Sequence, residues 1–321
     1  MKVFLTGATG FVGSAVLKRL TAAGHTVKGL VQDAAKADMV KRAGGIPVHG
    51  DLLVPEPWAD SVKDCELVIS ASSPFRVNEA MSIKDAERRS EAHKEMVTNL
   101  INATRYSRVE AILLTYHVTA LGNHGDRWGS EVLTVDPVGL ARPVGGAYWA
   151  IDKAAKKAGL PTIEVFPGWV YGPGGWFEHY IVDGIKAGTL RVMEAGVNYN
   201  SLIHIDDLAE GIKRIVDRMP LGERFCLADN HPVTQKTFLD YVAGLMGAAP
   251  PKTVDYNTFA KLHGELMAEA FGSSIRVSNV KARNEAGFAP MYQSYIEGVP
   301  EALRALGIEL APAEMKKAAG F

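Results

Sequence analysis

Short apolar runs alternate with longer amphipathic stretches through the first half of this 321-residue chain. The runs around Val3-Phe4-Leu5, Val27 to Val31, Val68-Ile69 and Ile112 to Leu114 are short and mostly apolar, the mark of strands buried on both faces. Between them apolar residues return every three or four positions, the period of a helix with one face on a core. The pattern predicts strands at 2–6, 26–31, 46–50, 66–70, 110–115 and 162–166. It predicts helices over 11–23, 34–43, 57–63, 83–106 and 147–158. Such alternation implies an α/β fold, a doubly wound parallel sheet with helices on both faces. Ligands of such sheets meet the carboxyl ends of the strands, just after Leu5, Val31, Gly50, Ser70, Thr115 and Phe166. From Tyr171 the pattern changes to a Gly- and Trp-rich segment followed by helices near 234–246 and 257–271. The expected organisation is therefore a sheet domain over 1–170, to which 203–230 returns. A smaller C-terminal lobe over 171–202 and 231–321 closes on the strand ends and sets substrate choice.

The loop after the first strand reads Thr6-Gly7-Ala8-Thr9-Gly10-Phe11-Val12-Gly13. One glycine turns the chain, one lets the backbone approach a pyrophosphate, and one lets the helix pack close to the strand. Free N–H groups and the helix dipole near Phe11 favour an anion there. With the strand at 26–31 the loop completes a β-α-β unit, the Rossmann arrangement that binds dinucleotides. Gly7, Thr9, Gly10, Phe11 and Val12 are its candidate cofactor contacts.

Composition narrows the picture mainly by exclusion. Hydrophobic residues make up 47% and charged residues 22%, with a formal net charge of −1, so no basic stripe points to nucleic acid. No uninterrupted apolar run reaches membrane-spanning length, and the Gly and Thr interruptions after Lys2 separate this N-terminus from a secretory signal. Cys65 and Cys226 lie far apart without metal-ligand spacing, which suits a reducing, cytoplasmic setting. No two histidines have helical metal-ligand spacing, so no metal is expected. The expected partner is a small-molecule substrate, with a homodimer left open.

Four patterns then fall in order between residues 6 and 209: the glycine loop, Gly50-Asp51-Leu52, Pro167-Gly168-Trp169-Val170-Tyr171-Gly172-Pro173-Gly174, and Ile203-His204-Ile205-Asp206-Asp207-Leu208-Ala209. Together they resemble the extended short-chain dehydrogenase/reductase family, the NAD-dependent epimerase/dehydratase-like group that includes nucleotide-sugar epimerases and dihydroflavonol-reductase-like enzymes. The resemblance implies that Asp51 and Leu52 flank the adenine and that Ala71, Ser72 and Ser73 line the adenosine side. It also implies that Pro167, Gly168 and Val170 border the nicotinamide. An NAD enzyme places an acid at the end of the second strand, an NADP enzyme a basic residue nearby. Here that end is Val31-Gln32-Asp33 with Lys36 following, which favours NADP over NAD, with Gln32 and Lys36 as the candidate contacts. Asp206 and Asp207 are expected to cap the helix that follows them, and His204 to be packed.

The family's catalysis rests on Ser, Tyr and Lys, with Tyr and Lys four apart on one helix face so that the ammonium lowers the phenol's pKa. This chain departs from that pattern. Tyr148 and Lys153 are five apart, which puts their side chains about 140° from each other around a helix. A register anchored on Lys153 puts Trp149 at the tyrosine position and requires a deletion. A gap-free register, anchored on Gly159 and Pro167, puts Val144 at the tyrosine position, Tyr148 at the lysine position and Asp152 at a family acid. The gap-free register is preferred, and it makes Tyr148 a cofactor contact as well as a candidate relay. Counting back from Gly122 places His117 where the serine stands, with Thr115 and Thr119 nearby. Histidine titrates near neutrality, so His117 beside Tyr148 forms a substitute proton-transfer pair, with Thr115 and Lys153 as further candidates. Alternatively, His117 only hydrogen-bonds within its loop.

The expected function is an NAD(P)-dependent oxidoreductase acting on a carbonyl or alcohol of a small, largely apolar substrate through this non-standard relay. Trp149, Trp169, Trp176 and Phe177 are the candidate walls of its pocket. Two alternatives stay open: an isomerase, epimerase or lyase that uses the cofactor transiently, and a dinucleotide-binding sensor without chemistry.

Overall fold

Val3, Phe4 and Leu5 send their side chains alternately to the two faces of a strand, and the sheet built on them has a hydrophobic core on each face. The computed structural model describes residues 1–73 and 82–312, apart from the side chains of Leu140 and Val144; residues 313–321 of the expected C-terminal lobe lie outside it. In chain order the central elements are β1 (Lys2–Thr6), α1 (Phe11–Ala22), β2 (Thr26–Val31), α2 (Ala34–Arg42), β3 (Ile46–His49) and β4 (Leu67–Ser70). They continue as α3 (Ile83–Ala103), β5 (Ala111–Thr115), α4 (Arg142–Ala158) and β6 (Thr162–Pro167). After β7 (Trp169–Tyr171) and β8 (Leu202–His204), α5 (Ile205–Arg218) leads to β9 (Arg224–Leu227). The seven-stranded sheet has the order β9-β6-β5-β4-β1-β2-β3, and every pairing in it is parallel. The chain thus winds outward from β1 in one direction and then, from β4, in the other. That reversal opens a crevice at the carboxyl ends of β1 and β4.

One core packs α1 and α5 on the sheet through Val16, Leu20, Ile212 and Ile215; the other packs α3 and α4 through Leu100, Ile101, Ile151 and Ala155. A third core lies in the C-terminal half, where Tyr171, Phe177, Phe238, Phe259 and Phe271 cluster. It is built from α6 (Gln235–Leu245), α7 (Tyr256–His263) and α8 (Glu265–Gly272), with α9 (Val280–Ala286) and α10 (Tyr295–Ala305) following. The paired β7 and β8 continue from the sheet's edge toward this core. No helix of the described residues is long and apolar enough to cross a membrane.

Several elements differ from the sequence pattern. The stretch expected as a helix over 57–63 is a 3₁₀ turn, Trp58–Val62, shaped by Trp58, whose indole donates to the carbonyls of Asp51 (2.7 Å) and Val54 (2.8 Å). The helix expected at 147–158 begins at Arg142, and α3 stops at Ala103 rather than 106. The single helix expected over 257–271 is two, broken at Gly264, whose φ of 90° no helix accommodates. Asp206 and Asp207 do not cap α5: its N-cap is His204, whose Nδ1 accepts from the Asp206 N–H at 3.2 Å. Asp207 instead accepts from the N–H groups of Met291 (2.6 Å) and Tyr292 (3.1 Å), anchoring a distant loop.

Candidate active site

The loop between β1 and α1 is folded as tightly as its glycines permit. Gly7 has φ 68°, and a Cβ there would stand 2.5 Å from the Ala71 carbonyl oxygen, so β4's end and the loop touch backbone to backbone. Gly10 is the N-cap of α1 and no side chain caps the helix; its first turn carries no acidic residue. The first N–H groups of α1 are therefore left for an anion. Residues with this geometry fit a dinucleotide pyrophosphate. Thr9 lies in the same turn.

A cavity of about 560 Å³ starts at Gly10, Phe11 and Val12 and runs past Ala71, Ser72 and Ser73 to Pro167 and Val170. It continues to Thr115, Tyr116 and His117 after β5, to Tyr148 on α4, and to Trp169 and Trp176. The structure thus gathers nine of the proposed cofactor positions around one space. The remaining ones lie outside it. Gly168 packs against the Ser201 backbone, where a Cβ would approach to 2.5 Å. Asp51 and Gln32 join at the ends of β2 and β3, the amide donating to the carboxylate at 3.2 Å, and Leu52 is buried in the core. Lys36 pairs with Asp33 (3.3 Å), whose carboxylate also caps α2 by accepting the Lys36 N–H at 2.8 Å.

The catalytic candidates separate. Lys153 is exposed on α4 and does not line the cavity, as the turn between it and Tyr148 requires. Tyr148 does line it, but its hydroxyl donates to the buried Glu164 carboxylate at 3.0 and 3.3 Å. Burial, and then the Glu164 charge, push the Tyr148 phenol well above its ordinary range. Glu164 on β6 is ion-paired to Arg224 on β9 at 3.2 Å, opposite it in register, and burial raises its pKa. His117 and Tyr148, expected as a substitute proton-transfer pair, both line the cavity, but the Tyr148 hydroxyl is engaged by Glu164. His117 Nδ1 accepts from the Thr119 N–H at 3.2 Å and lies 2.8 Å from the Thr119 hydroxyl, so the ring proton sits on Nε2. Burial lowers the His117 pKa to about 4, which keeps the ring neutral at pH 7. Thr115 donates its hydroxyl proton to the Ser70 carbonyl at 2.9 Å. The Val144 side chain lies outside the described residues.

Of the expected pocket walls, Trp169 and Trp176 line the cavity, whereas Phe177 is buried in the third core and Trp149 is 52% exposed. His93 on α3 is a lining residue that its sequence context does not single out. Burial pushes its pKa down to about 4, and nothing in its helical spacing distinguishes it from a surface position. Tyr116 and Glu164 were likewise unmarked: one reads as a strand-end aromatic, the other as a polar break in a strand. Among the described residues no cluster of metal-ligating side chains occurs.

The sequence pattern of the NAD dependent epimerase/dehydratase family matches residues 3–228. The chain belongs to that family. A Streptomyces 3-diazoavenalumate denitrifying reductase is 26% identical over 317 residues, 93% of this chain and 99% of the relative. A Stigmatella aurantiaca 4-hydroxy-2-methyl-3-oxo-4-farnesyl-3,4-dihydroquinoline-1-oxide ketoreductase is 27% identical over 77% of this chain and 74% of its own. The crystal structure of a dTDP-glucose 4,6-dehydratase from Streptomyces venezuelae, with NAD and TYD bound, superposes with a TM-score of 0.78 at 17% identity. It covers 95% of this chain and 96% of that one. This family member is an oxidoreductase of the short-chain dehydrogenase/reductase type with NAD(P) as its cofactor class.

Proposed function

We propose that the protein is an NADP-dependent reductase acting on the carbonyl of a small, largely apolar molecule. The observation that carries this reading is His117: a neutral ring with its proton fixed on Nε2, lining the cavity that begins at the dinucleotide loop. Bound at that loop, the nicotinamide supplies the hydride equivalent. His117 Nε2–H donates to the substrate oxygen and stabilises its developing negative charge, the task of an oxyanion-hole donor. Because the ring holds no second proton at neutral pH, the product oxygen takes its proton from water. Tyr148, committed to Glu164, forms a wall of the chamber and holds no proton for the substrate.

The preference for NADP rests on the end of β2. The Asp33 carboxylate, where an NAD enzyme keeps an acceptor for ribose hydroxyls, is engaged by the α2 backbone and the Lys36 ammonium. The Lys36 ammonium, paired with Asp33 here, is the cation that a ribose 2′-phosphate would recruit on that side. The test is a steady-state assay following NADPH or NADH oxidation with a panel of neutral ketones. NADPH is expected to outpace NADH, and His117→Ala to lower kcat by about 10²-fold, the effect of losing one such donor. Tyr148→Phe is expected to stay within a few-fold of wild type. Full activity in His117→Ala, or no oxidation of either cofactor with any ketone, sinks the proposal.

A further inference from the structure

We propose that the chamber selects uncharged, planar aromatic carbonyl compounds and rejects anionic ones, nucleoside diphosphates and aryl carboxylates included. This rests on the cavity being the substrate chamber of the proposed reductase. Among the described residues that line it there is no Asp, Glu, Lys or Arg. The guanidinium of Arg224 is engaged elsewhere, ion-paired to Glu164 and over the Phe166 ring at 4.8 Å. Beyond the α1 loop, whose free N–H groups the dinucleotide pyrophosphate would occupy, a carboxylate or diphosphate entering this space would lose water and gain no counter-charge from the described lining residues. The deep histidines do not supply one, since burial keeps both His93 and His117 neutral at pH 7.

The walls favour a flat ring. Tyr116 meets Tyr148 edge-on with centroids 5.0 Å apart, and His117 meets Trp169 at 4.9 Å and 85°. Trp169 in turn meets Trp176 at 5.2 Å and 66°. These contacts form two sets of tilted rings in the chamber wall, on which an aromatic ligand adds one more edge or face. A carbonyl on that ligand takes the His117 Nε2–H, which otherwise has no fixed partner among the described residues. Selection is therefore by ring shape, one hydrogen bond, and the absence of charged side chains among the described lining residues.

Isothermal titration of the full chain, with and without NADP, tests this with three ligands: 2-acetylnaphthalene, 6-acetyl-2-naphthoic acid and cyclohexyl methyl ketone. The neutral aryl ketone is expected to bind at least about tenfold more tightly than the acid, and about fivefold more tightly than the aliphatic ketone. His179 is exposed at the rim of the chamber, so His179→Arg adds a permanent charge there without disturbing a core. That variant is expected to narrow the gap between aryl ketone and acid severalfold. Trp176→Ala is expected to weaken the aryl ketone about tenfold. Equal or tighter binding of the acid, or no preference for the aromatic ring, overturns the inference. Selective binding without turnover would leave this inference standing and count against the reductase reading. Turnover of aliphatic and anionic ketones alike would do the reverse.

Discussion

Asp229 lies two residues past β9 with 3% of its surface exposed. One carboxyl oxygen accepts from the His231 N–H at 2.9 Å and the other meets no hydrogen-bond geometry among the described residues. Burial raises its pKa to about 8, with the Asp207 charge adding to the effect. Between the ordinary carboxyl value and 8, the folded protein therefore holds a proton that the unfolded chain has released, and stability falls as pH rises through that window. His93 and His117 act in the opposite sense, because their depressed pKa values cost stability as pH drops from about 6.5 toward 4. Asp229→Asn removes the first slope and leaves the second. Urea unfolding at pH 5 and pH 8 should show the variant gaining on wild type by on the order of 2–4 kcal/mol between the two pH values. Parallel stability curves would show that Asp229 titrates normally. Nothing in the sequence around Asp229 announces this burial, because its environment is made by Asp207 and by the loop before α10. His117 was visible, because it follows an apolar strand at a fixed distance from Gly122. Its neutral state and fixed tautomer came only with the folded loop.

At the scale of elements, the loop into α1 makes the sharpest contrast. A Cβ at Gly13 would lie 2.0 Å from the Gly7 carbonyl oxygen, and a backbone atom cannot swing away. Alanine's higher helix propensity is worth at most about 1 kcal/mol, so the clash decides the sign. Gly13→Ala is expected to lose roughly 2–4 kcal/mol in urea unfolding. At Gly10 the nearest atom to a Cβ is the Gly7 oxygen at 3.3 Å, and its other side is open toward the crevice. Gly10→Ala should therefore fold nearly as well as wild type yet bind NADPH about tenfold or more weakly by calorimetry. A Gly13→Ala protein as stable as wild type would show that the helix is not held against the loop. This junction was legible because its glycine spacing is local. The start of α4 was not, since Arg142-Pro-Val-Gly-Gly has poor helix propensity. Packing overrides it: Pro143 accepts a hydrogen bond from Ser90 on α3, and proline suits a first turn. The break at Gly264 was missed for the converse reason, since the residues on both sides keep a helical pattern.

For the whole molecule, the question is whether the first 170 residues form a unit that folds alone. Six strands of the central sheet fall within them, which speaks for it, although the sequence pattern expects 203–230 to return to the same domain. Two contacts argue otherwise. Helix α5 supplies Leu208, Ile212, Ile215 and Val216 to the core that covers one face of the sheet, and Glu210 ties it to Arg19 on α1. Strand β9 covers the edge of β6 and brings Arg224 opposite Glu164. A chain ending at 170 would uncover the core that α5 closes and leave a buried carboxylate without its counter-ion, a loss on the order of 3–5 kcal/mol for the charge alone. That is comparable to the whole stability of many domains. The 1–170 fragment is therefore expected to lack a cooperative thermal transition by circular dichroism and to bind a hydrophobic dye, while the full chain melts cooperatively. Glu164→Leu in the fragment removes the orphaned charge but not the missing helix, so it should not restore folding. A sharp melt of the unmodified fragment would mean that α5 and β9 decorate a self-sufficient sheet rather than complete it.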